Sequence, residues 1–197
     1  MNLKDYRVIL ASGSPRRIQM LQEAGAEPRI IKPQCEELLH MPLEPQQIVM
    51  SLALKKGQWV ENKLAEENDP VLLSQNGPAL LIASDTIVYC DRVMGKPEDQ
   101  EDAFKMLSEL KNRTHSVFSG VYLNFIHSGK KIVFFDETKV FVNDYTDDWL
   151  RSYIATGEPM DKAGGYAIQG IFGSMIDHFE GDYDNVVGLP LEKILQL

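Results

Sequence analysis

The segment from Ser12 to Arg17 contains the groups that bind anions in proteins. Its sequence is Ser-Gly-Ser-Pro-Arg-Arg, and it follows an apolar stretch at residues 7–11. Hydroxyls and backbone N–H groups at the start of a helix bind phosphate, and two consecutive arginines add bidentate donors. From the residues alone, an ordinary capped helix with solvated arginines is as well supported as an anion-binding site, because short Gly/Ser motifs are weak signals.

Asp85 is a candidate for acid–base or metal chemistry. It follows the apolar stretch 79–83, and α/β proteins place ligands at the carboxyl ends of their strands. A carboxylate there can hold Mg²⁺ or orient a water molecule. The alternative is a turn that opens a hairpin, since aspartate often stands at such turns. For Asp85 taken alone, this alternative is favoured.

Four further polar residues are weaker candidates when each is taken alone. Glu37 belongs to an acidic pair in a loop, where carboxylates are usually solvated. Lys56 and Lys96 are typical of surface lysines, although a glycine and a proline fix the backbone on either side of Lys96. Gln169 lies in the glycine-rich segment 164–170, where a flat ligand can approach the backbone. A simple loop is the alternative for this segment.

The elements that must position these residues alternate along the chain. A strand at 7–11 is followed by a helix that starts at Pro15, with Ser14 as its N-cap, and stops at Gly25. Long hairpins among the strands indicate an α/β fold with a mixed sheet. The other predicted elements are strands at 28–32, 79–83 with a hairpin turning near Asp91, 117–126, 131–143 and 174–180, helices at 45–64, 99–110, 147–156 and 190–197, and a loop at 66–78 with an extended piece at 71–73.

The composition excludes several classes of protein. The chain has 197 residues, 44% hydrophobic and 25% charged, as in a globule with a buried core. A net charge of −9 argues against nucleic-acid binding, because affinity for the phosphate backbone needs neutralising cations. No stretch approaches the roughly 18–20 apolar residues of a membrane span, and residues 1–6 lack a signal-peptide core. Two cysteines form no disulfide framework or zinc-spaced cluster. We expect a cytoplasmic protein.

Taken in order, five motifs resemble the Maf family of nucleoside triphosphate pyrophosphatases. They lie at residues 10–17, 84–88, 95–97, 161–170 and 186–190, so the resemblance covers almost the whole chain, and we expect one Maf-like domain over 1–197. The resemblance implies an inosine-triphosphatase-like α/β fold, with an elongated mixed sheet flanked by helices and two lobes around a central cleft. It also implies hydrolysis of a nucleoside triphosphate to monophosphate and pyrophosphate with Mg²⁺ or Mn²⁺, in a homodimer.

The resemblance also gives each candidate residue an expected role. Asp85 matches the family's proton acceptor, and with Glu37 it is expected to hold the metal. The acidic loop lacks a further aspartate that members often carry. The phosphate-side positions match Ser12, Arg16, Arg17, Lys56 and Lys96, and the residues expected to carry catalysis are Asp85, Glu37, Lys56 and Lys96.

Three positions distinguish two branches of the family, and here they are Arg16, Thr86 and Gln169. The branch that prefers 7-methyl-GTP typically has tryptophan, glutamine and glutamate there, so this chain resembles the branch that prefers dTTP and UTP. The chemistry agrees, because a glutamine amide offers one donor and one acceptor, which match the N3–H and a ring carbonyl of uracil or thymine. Modified pyrimidine nucleotides fit the same pattern.

Two other functions compete with hydrolysis. A nucleotide-binding regulator of cell division or septum formation would keep the basic residues without needing Asp85. An RNA-binding module is disfavoured by the net charge of −9 and by the absence of an RNP-type aromatic motif.

Overall fold

The structure is a computed structural model that describes residues 1–35, 43–73 and 77–197. Its strands are β1 (Arg7–Leu10), β2 (Arg29–Ile30), β3 (Ala79–Cys90), β4 (Arg92–Met94), β5 (Thr114–Phe125), β6 (Lys130–Val142) and β7 (Ile176–Glu180). Its α-helices are α1 (Pro15–Glu23), α2 (Pro45–Glu66), α3 (Gln100–Leu110), α4 (Asp147–Ala155), α5 (Tyr183–Val187) and α6 (Leu191–Leu195).

The strands of the described residues form one seven-stranded mixed sheet. Their order is β2-β1-β3-β5-β6-β7, and β4 pairs with β3. β1 runs parallel to β2 and to β3, whereas β3 and β4, and β6 and β7, are antiparallel pairs. The predicted α/β class, with helices flanking a mixed sheet, is therefore confirmed.

Most predicted elements lie within a few residues of where the sequence placed them; two differ, and one observed helix was not predicted. The strand predicted at 79–83 continues to Cys90, because the β-branched and aromatic residues that follow Asp85 extend it. The extended piece predicted at 71–73 is wrong: a 3-10 helix covers Pro70–Leu72, and the Asp69 side chain caps it by accepting from Val71 N. Helix α5 was not predicted.

The chain divides into two compact units, each with an apolar core. Unit 1 comprises Met1–Asp85, Ser119–Asp136 and Gly188–Leu197, and unit 2 comprises Thr86–Phe118 and Glu137–Val187. The core of unit 1 includes Ile9, Ala53, Val60, Leu64, Leu81 and Tyr122. The core of unit 2 includes Val88, Met94, Leu107, Val140, Tyr153 and Phe172. The prediction of a single Maf-like domain over 1–197 stays a prediction.

Among the described residues, no helix has both the length and the apolar character needed to cross a membrane.

Candidate functional site

The hydroxyl of Ser12 organises the turn that follows β1. Ser12 is buried, and its Oγ accepts hydrogen bonds from the backbone N–H of Ser14 at 3.2 Å and from Nη1 of Arg17 at 3.3 Å. Ser14 is the N-cap residue of α1, as predicted, but its side chain makes no capping hydrogen bond. Because the Ser12 oxygen accepts these two bonds, its O–H hydrogen can donate to an anion.

The backbone carbonyl of Gly188 links α1 to β3 within unit 1. It accepts hydrogen bonds from Nε of Arg17 at 2.7 Å and from Oγ of Ser84 at 3.0 Å. Ser84 is fully buried, so this contact is shielded from water. Together with the Ser12 contact, the two bonds fix the orientation of the Arg17 guanidinium.

Lys56 and Asp85 form a largely buried salt bridge. Nζ of Lys56 contacts Oδ1 of Asp85, and the two side chains are 14% and 11% exposed. Gly57, the residue after Lys56, explains how α2 comes so close to the sheet: a Cβ there would lie 2.0 Å from the ring of Tyr122 in β5. A residue without a side chain thus allows the close packing that brings Lys56 to Asp85.

Asp85 lies inside β3, just beyond the part of the strand that pairs with β1. The last pair in that register is Leu10 with Ile82, and the hairpin turns at Asp91, whose φ is +58°. The alternative in which Asp85 opens the hairpin is therefore wrong. Because neighbouring side chains alternate across a sheet, Ser84 and Asp85 project to opposite faces, one toward Gly188 and the other toward α2.

Unit 2 contains the other three predicted site residues that the structure describes. Thr86 is half-buried in β3, Lys96 is exposed between β4 and α3, and Gln169 is exposed on a turn. The backbone N–H of Gly164 donates to the carbonyl of Gly95 at 2.9 Å. This bond joins the glycine-rich segment to the residue that precedes Lys96.

Asp85 is also the described member of the predicted metal-ligand pair. In the ranges 1–35, 43–73 and 77–197, no three His, Cys, Asp or Glu side chains come together as a metal-binding group. Mg²⁺ is usually held by one or two carboxylates together with substrate phosphates and water, so the Asp85 carboxylate suits a cation that enters with a phosphorylated substrate. Glu37 lies outside the described residues, and the metal stays a prediction.

Five of the predicted residues lie in unit 1, and four of them form two contacting pairs. Ser12 contacts Arg17, Lys56 contacts Asp85, and Arg16 is half-buried in the first turn of α1. Sequence reasoning missed Ser84 and Gly188. Gly188 lies in the last of the five motifs, but a backbone carbonyl has no signature of its own in the sequence.

Comparison with known proteins adds the family. The profile of the family described as Maf-like protein matches residues 7–197. This chain belongs to that family. Its relatives include a protein named dTTP/UTP pyrophosphatase from Thermoanaerobacter sp. (strain X514), which is 39% identical over 192 residues, covering 97% of this chain and 94% of the relative. Another protein of that name, from Dictyoglomus turgidum, is 42% identical over 192 residues, covering 96% of this chain and 93% of the relative.

Among solved structures, the Ham1 protein of Staphylococcus aureus aligns with a TM-score of 0.42 and 13% identity, over 86% of this chain and 79% of that protein. The Maf-like assignment does not depend on this alignment. It rests on the profile match, which places the five motifs of the sequence inside a single family.

Proposed function

We propose that this Maf-like protein is a nucleoside triphosphate pyrophosphatase that hydrolyses dTTP and UTP to the monophosphate and pyrophosphate. The proposed substrates include modified pyrimidine nucleotides whose bases have the same shape. The proposal is supported by the family, by relatives named dTTP/UTP pyrophosphatase at about 40% identity over nearly the whole chain, and by the contacts in unit 1.

One observation carries the proposal: hydrogen bonds through the carbonyl of Gly188 link a phosphate-binding type of turn to the strand that bears a candidate carboxylate. Ser12 contacts Arg17, Arg17 and Ser84 share the carbonyl of Gly188, and Asp85 follows Ser84 directly in β3. Hydrogen bonds thus connect the anion-binding turn to β3, and β3 also carries the candidate base. A plain capped helix would not need these hydrogen bonds, so the binding interpretation of residues 12–17 is favoured.

Cationic residues can hold a triphosphate even though the protein is acidic overall. The chain carries a net charge of −9, and a triphosphate is itself strongly anionic, so local positive charge must offset the repulsion. Arg16, Arg17, Lys56 and Lys96 provide it, and each charge-assisted hydrogen bond contributes about 1.5–3 kcal/mol. When bound by Asp85 and Glu37, Mg²⁺ or Mn²⁺ would neutralise further phosphate charge.

The reaction asks little covalent chemistry of the protein. A water molecule attacks the α-phosphorus, Asp85 accepts the proton that the water loses, and the bond from the α-phosphorus to the oxygen that bridges the β-phosphoryl group breaks. Pyrophosphate leaves with that oxygen. Positioning and electrostatic stabilisation account for most of the rate in such transfers.

Arg16, Thr86 and Gln169 are proposed to select the base. The Gln169 amide can donate to a ring carbonyl and accept from N3–H of uracil or thymine. A glutamate at this position would only accept, which suits the N1–H and amino group of guanine. Wild-type protein should therefore favour dTTP and UTP over purine triphosphates.

The setting proposed for this activity is a homodimer in the cytoplasm. The dimer is implied by the family resemblance, and a reducing compartment agrees with the two cysteines, Cys35 and Cys90, both of which are free thiols. Light scattering of the purified protein tests the dimer, and a single species at the monomer mass of 22.3 kDa would exclude it.

A pyrophosphate-release screen tests the function. The purified protein is assayed with the eight standard nucleoside triphosphates and 7-methyl-GTP, with Mg²⁺, with Mn²⁺ and with excess EDTA. We expect metal-dependent release of pyrophosphate, fastest from dTTP and UTP. Nucleotide binding without turnover would support the alternative, a non-catalytic regulator of cell division. Undiminished activity in excess EDTA would refute the requirement for a divalent metal.

A further inference from the structure

Gln169 stands at the tip of a tight turn in unit 2. The backbone N–H of Gly170 donates to the carbonyl of Ala167 at 3.1 Å, which closes a turn with Ile168 and Gln169 at its centre. Exposed turns are more mobile than the elements they connect, so contacts to the flanking residues restrict their conformation. The position of the Gln169 amide therefore depends on what holds Gly170 and Ile171.

The carboxylate of Glu158 holds the residue pair that follows Gln169. Its Oε2 accepts a hydrogen bond from the backbone N–H of Ile171 at 3.2 Å. Its Oε1 lies against Gly170, where an added Cβ would come within 2.0 Å of that oxygen. Glu158 and Ile171 are 13 residues apart in the chain, so this is a tertiary contact and not part of the turn itself.

Glu158 is in turn fixed from the core of unit 2. The hydroxyl of Tyr153, a buried residue of α4, donates to Oε1 of Glu158 at 3.1 Å and lies 3.3 Å from the carbonyl of Gly165. Burial, followed by the charge of Glu158, raises the pKa of Tyr153, so the phenol remains a hydrogen-bond donor. The Glu158 backbone is also held, because Nζ of Lys162 donates to its carbonyl at 2.6 Å.

We propose that Glu158 is a positioning residue for base recognition, which sets the Gln169 amide by clamping the turn at Gly170 and Ile171. The inference rests on the proposed function and adds to it a residue that does not touch the nucleotide. It predicts that loss of the Glu158 carboxylate weakens base reading while the phosphate side and the chemistry remain intact.

Glu158→Ala is the first variant. It removes the partner of Ile171 N–H, so the turn samples other conformations and the two hydrogen bonds of the Gln169 amide are made less often. We expect the KM for dTTP to rise about tenfold and the preference for dTTP over dGTP in kcat/KM to fall about tenfold. The kcat should change less than about threefold. A tenfold effect corresponds to the net free energy of one or two hydrogen bonds.

Glu158→Gln is the conservative variant that separates positioning from general damage. Its amide oxygen can accept from Ile171 N–H, and its NH₂ group can donate to the Tyr153 hydroxyl, which accepts as well as donates. KM and selectivity should therefore return to within about threefold of wild type. Glu101→Ala, which removes a carboxylate that is 69% exposed in α3, is the matched control and should change neither.

Gly170→Ala tests the same contact from the other side. The φ of Gly170 is −98°, which alanine adopts without strain, so the new methyl group displaces the Glu158 carboxylate without straining the backbone. The variant should reproduce the KM and selectivity changes of Glu158→Ala. The double variant should add less than about twofold to either single change, because both remove one contact.

The outcomes separate this inference from the proposed function. An active wild type that prefers dTTP, together with a folded Glu158→Ala variant of unchanged KM and selectivity, would overturn the inference alone. Multiplied effects in the double variant, or failure of Glu158→Gln to restore selectivity, would also overturn it. A wild type without pyrophosphatase activity, or without preference for dTTP, would refute the proposed function first.

Discussion

The Lys56–Asp85 salt bridge allows stability and catalysis to be tested at one contact. Asp85→Asn keeps an oxygen that can accept from Lys56 but removes the negative charge and the proton acceptor. Lys56→Met keeps an aliphatic chain of similar length and leaves the Asp85 carboxylate without the ammonium. The two variants therefore remove the same ion pair from opposite sides.

The expected magnitudes follow from the burial of the pair. Breaking a fully buried ion pair costs about 3–5 kcal/mol, but the side chains of Lys56 and Asp85 are still 14% and 11% exposed. We therefore expect Lys56→Met to lower the free energy of unfolding by about 1.5–3 kcal/mol, the range for a hydrogen bond to a charged group. Asp85→Asn should cost less, because the amide oxygen remains, and both proteins should fold. For kcat, loss of a general base predicts a fall of about 10²–10⁴ in Asp85→Asn.

Urea unfolding and pyrophosphate release measure the two effects on the same preparations. In a double-mutant cycle, the pair should show a coupling free energy of about 1–2 kcal/mol, since contacting residues are non-additive. Additive unfolding free energies would refute the contact. Near-wild-type kcat in a folded Asp85→Asn variant would refute the role of Asp85 as proton acceptor.

Two further predictions concern base selection and the core of unit 2. The triple variant Arg16→Trp, Thr86→Gln and Gln169→Glu should shift the preference in kcat/KM from dTTP and UTP toward 7-methyl-GTP. The reason is that tryptophan stacks on the cationic purine and glutamate accepts hydrogen bonds from guanine. A folded triple variant with unchanged pyrimidine selectivity would contradict this prediction. His115 is buried, and burial lowers its pKa to about 4 from 6.5. The folded protein therefore favours the neutral imidazole, and this contribution to stability is fully present above pH 6.5. About 3 kcal/mol of the free energy of unfolding is lost as the pH falls from 6.5 to 4. Unfolding free energies measured at pH 7 and pH 4 should differ less in His115→Gln than in wild type, and an equal difference would contradict the prediction.

The fold was largely predictable because its elements carry local signals. Pro15 begins α1 at its first residue, and Thr146 caps α4 by accepting from Trp149 N, both as those residue types favour. The 3-10 helix at Pro70–Leu72 was missed because its signal is one hydrogen bond, which the Asp69 side chain accepts from Val71 N, rather than a hydrophobic period.

The candidate site was predictable in its residues but not in its contacts. Lys56 has no local feature that distinguishes it from a surface lysine, and its partner Asp85 lies 29 residues away in the chain. The carbonyl of Gly188 is a backbone group, so its contact with Arg17 cannot be predicted from a residue type. Glu158 was missed for a similar reason, since its partner is the backbone N–H of Ile171.

The most direct test of the account is the fate of the oxygen atom from the attacking water. Wild-type protein is incubated with dTTP and Mg²⁺ in H₂¹⁸O, and the products are analysed by mass spectrometry. Attack at the α-phosphorus predicts one ¹⁸O atom in dTMP and unlabelled pyrophosphate. Label in pyrophosphate, or release of orthophosphate and dTDP, would contradict the account.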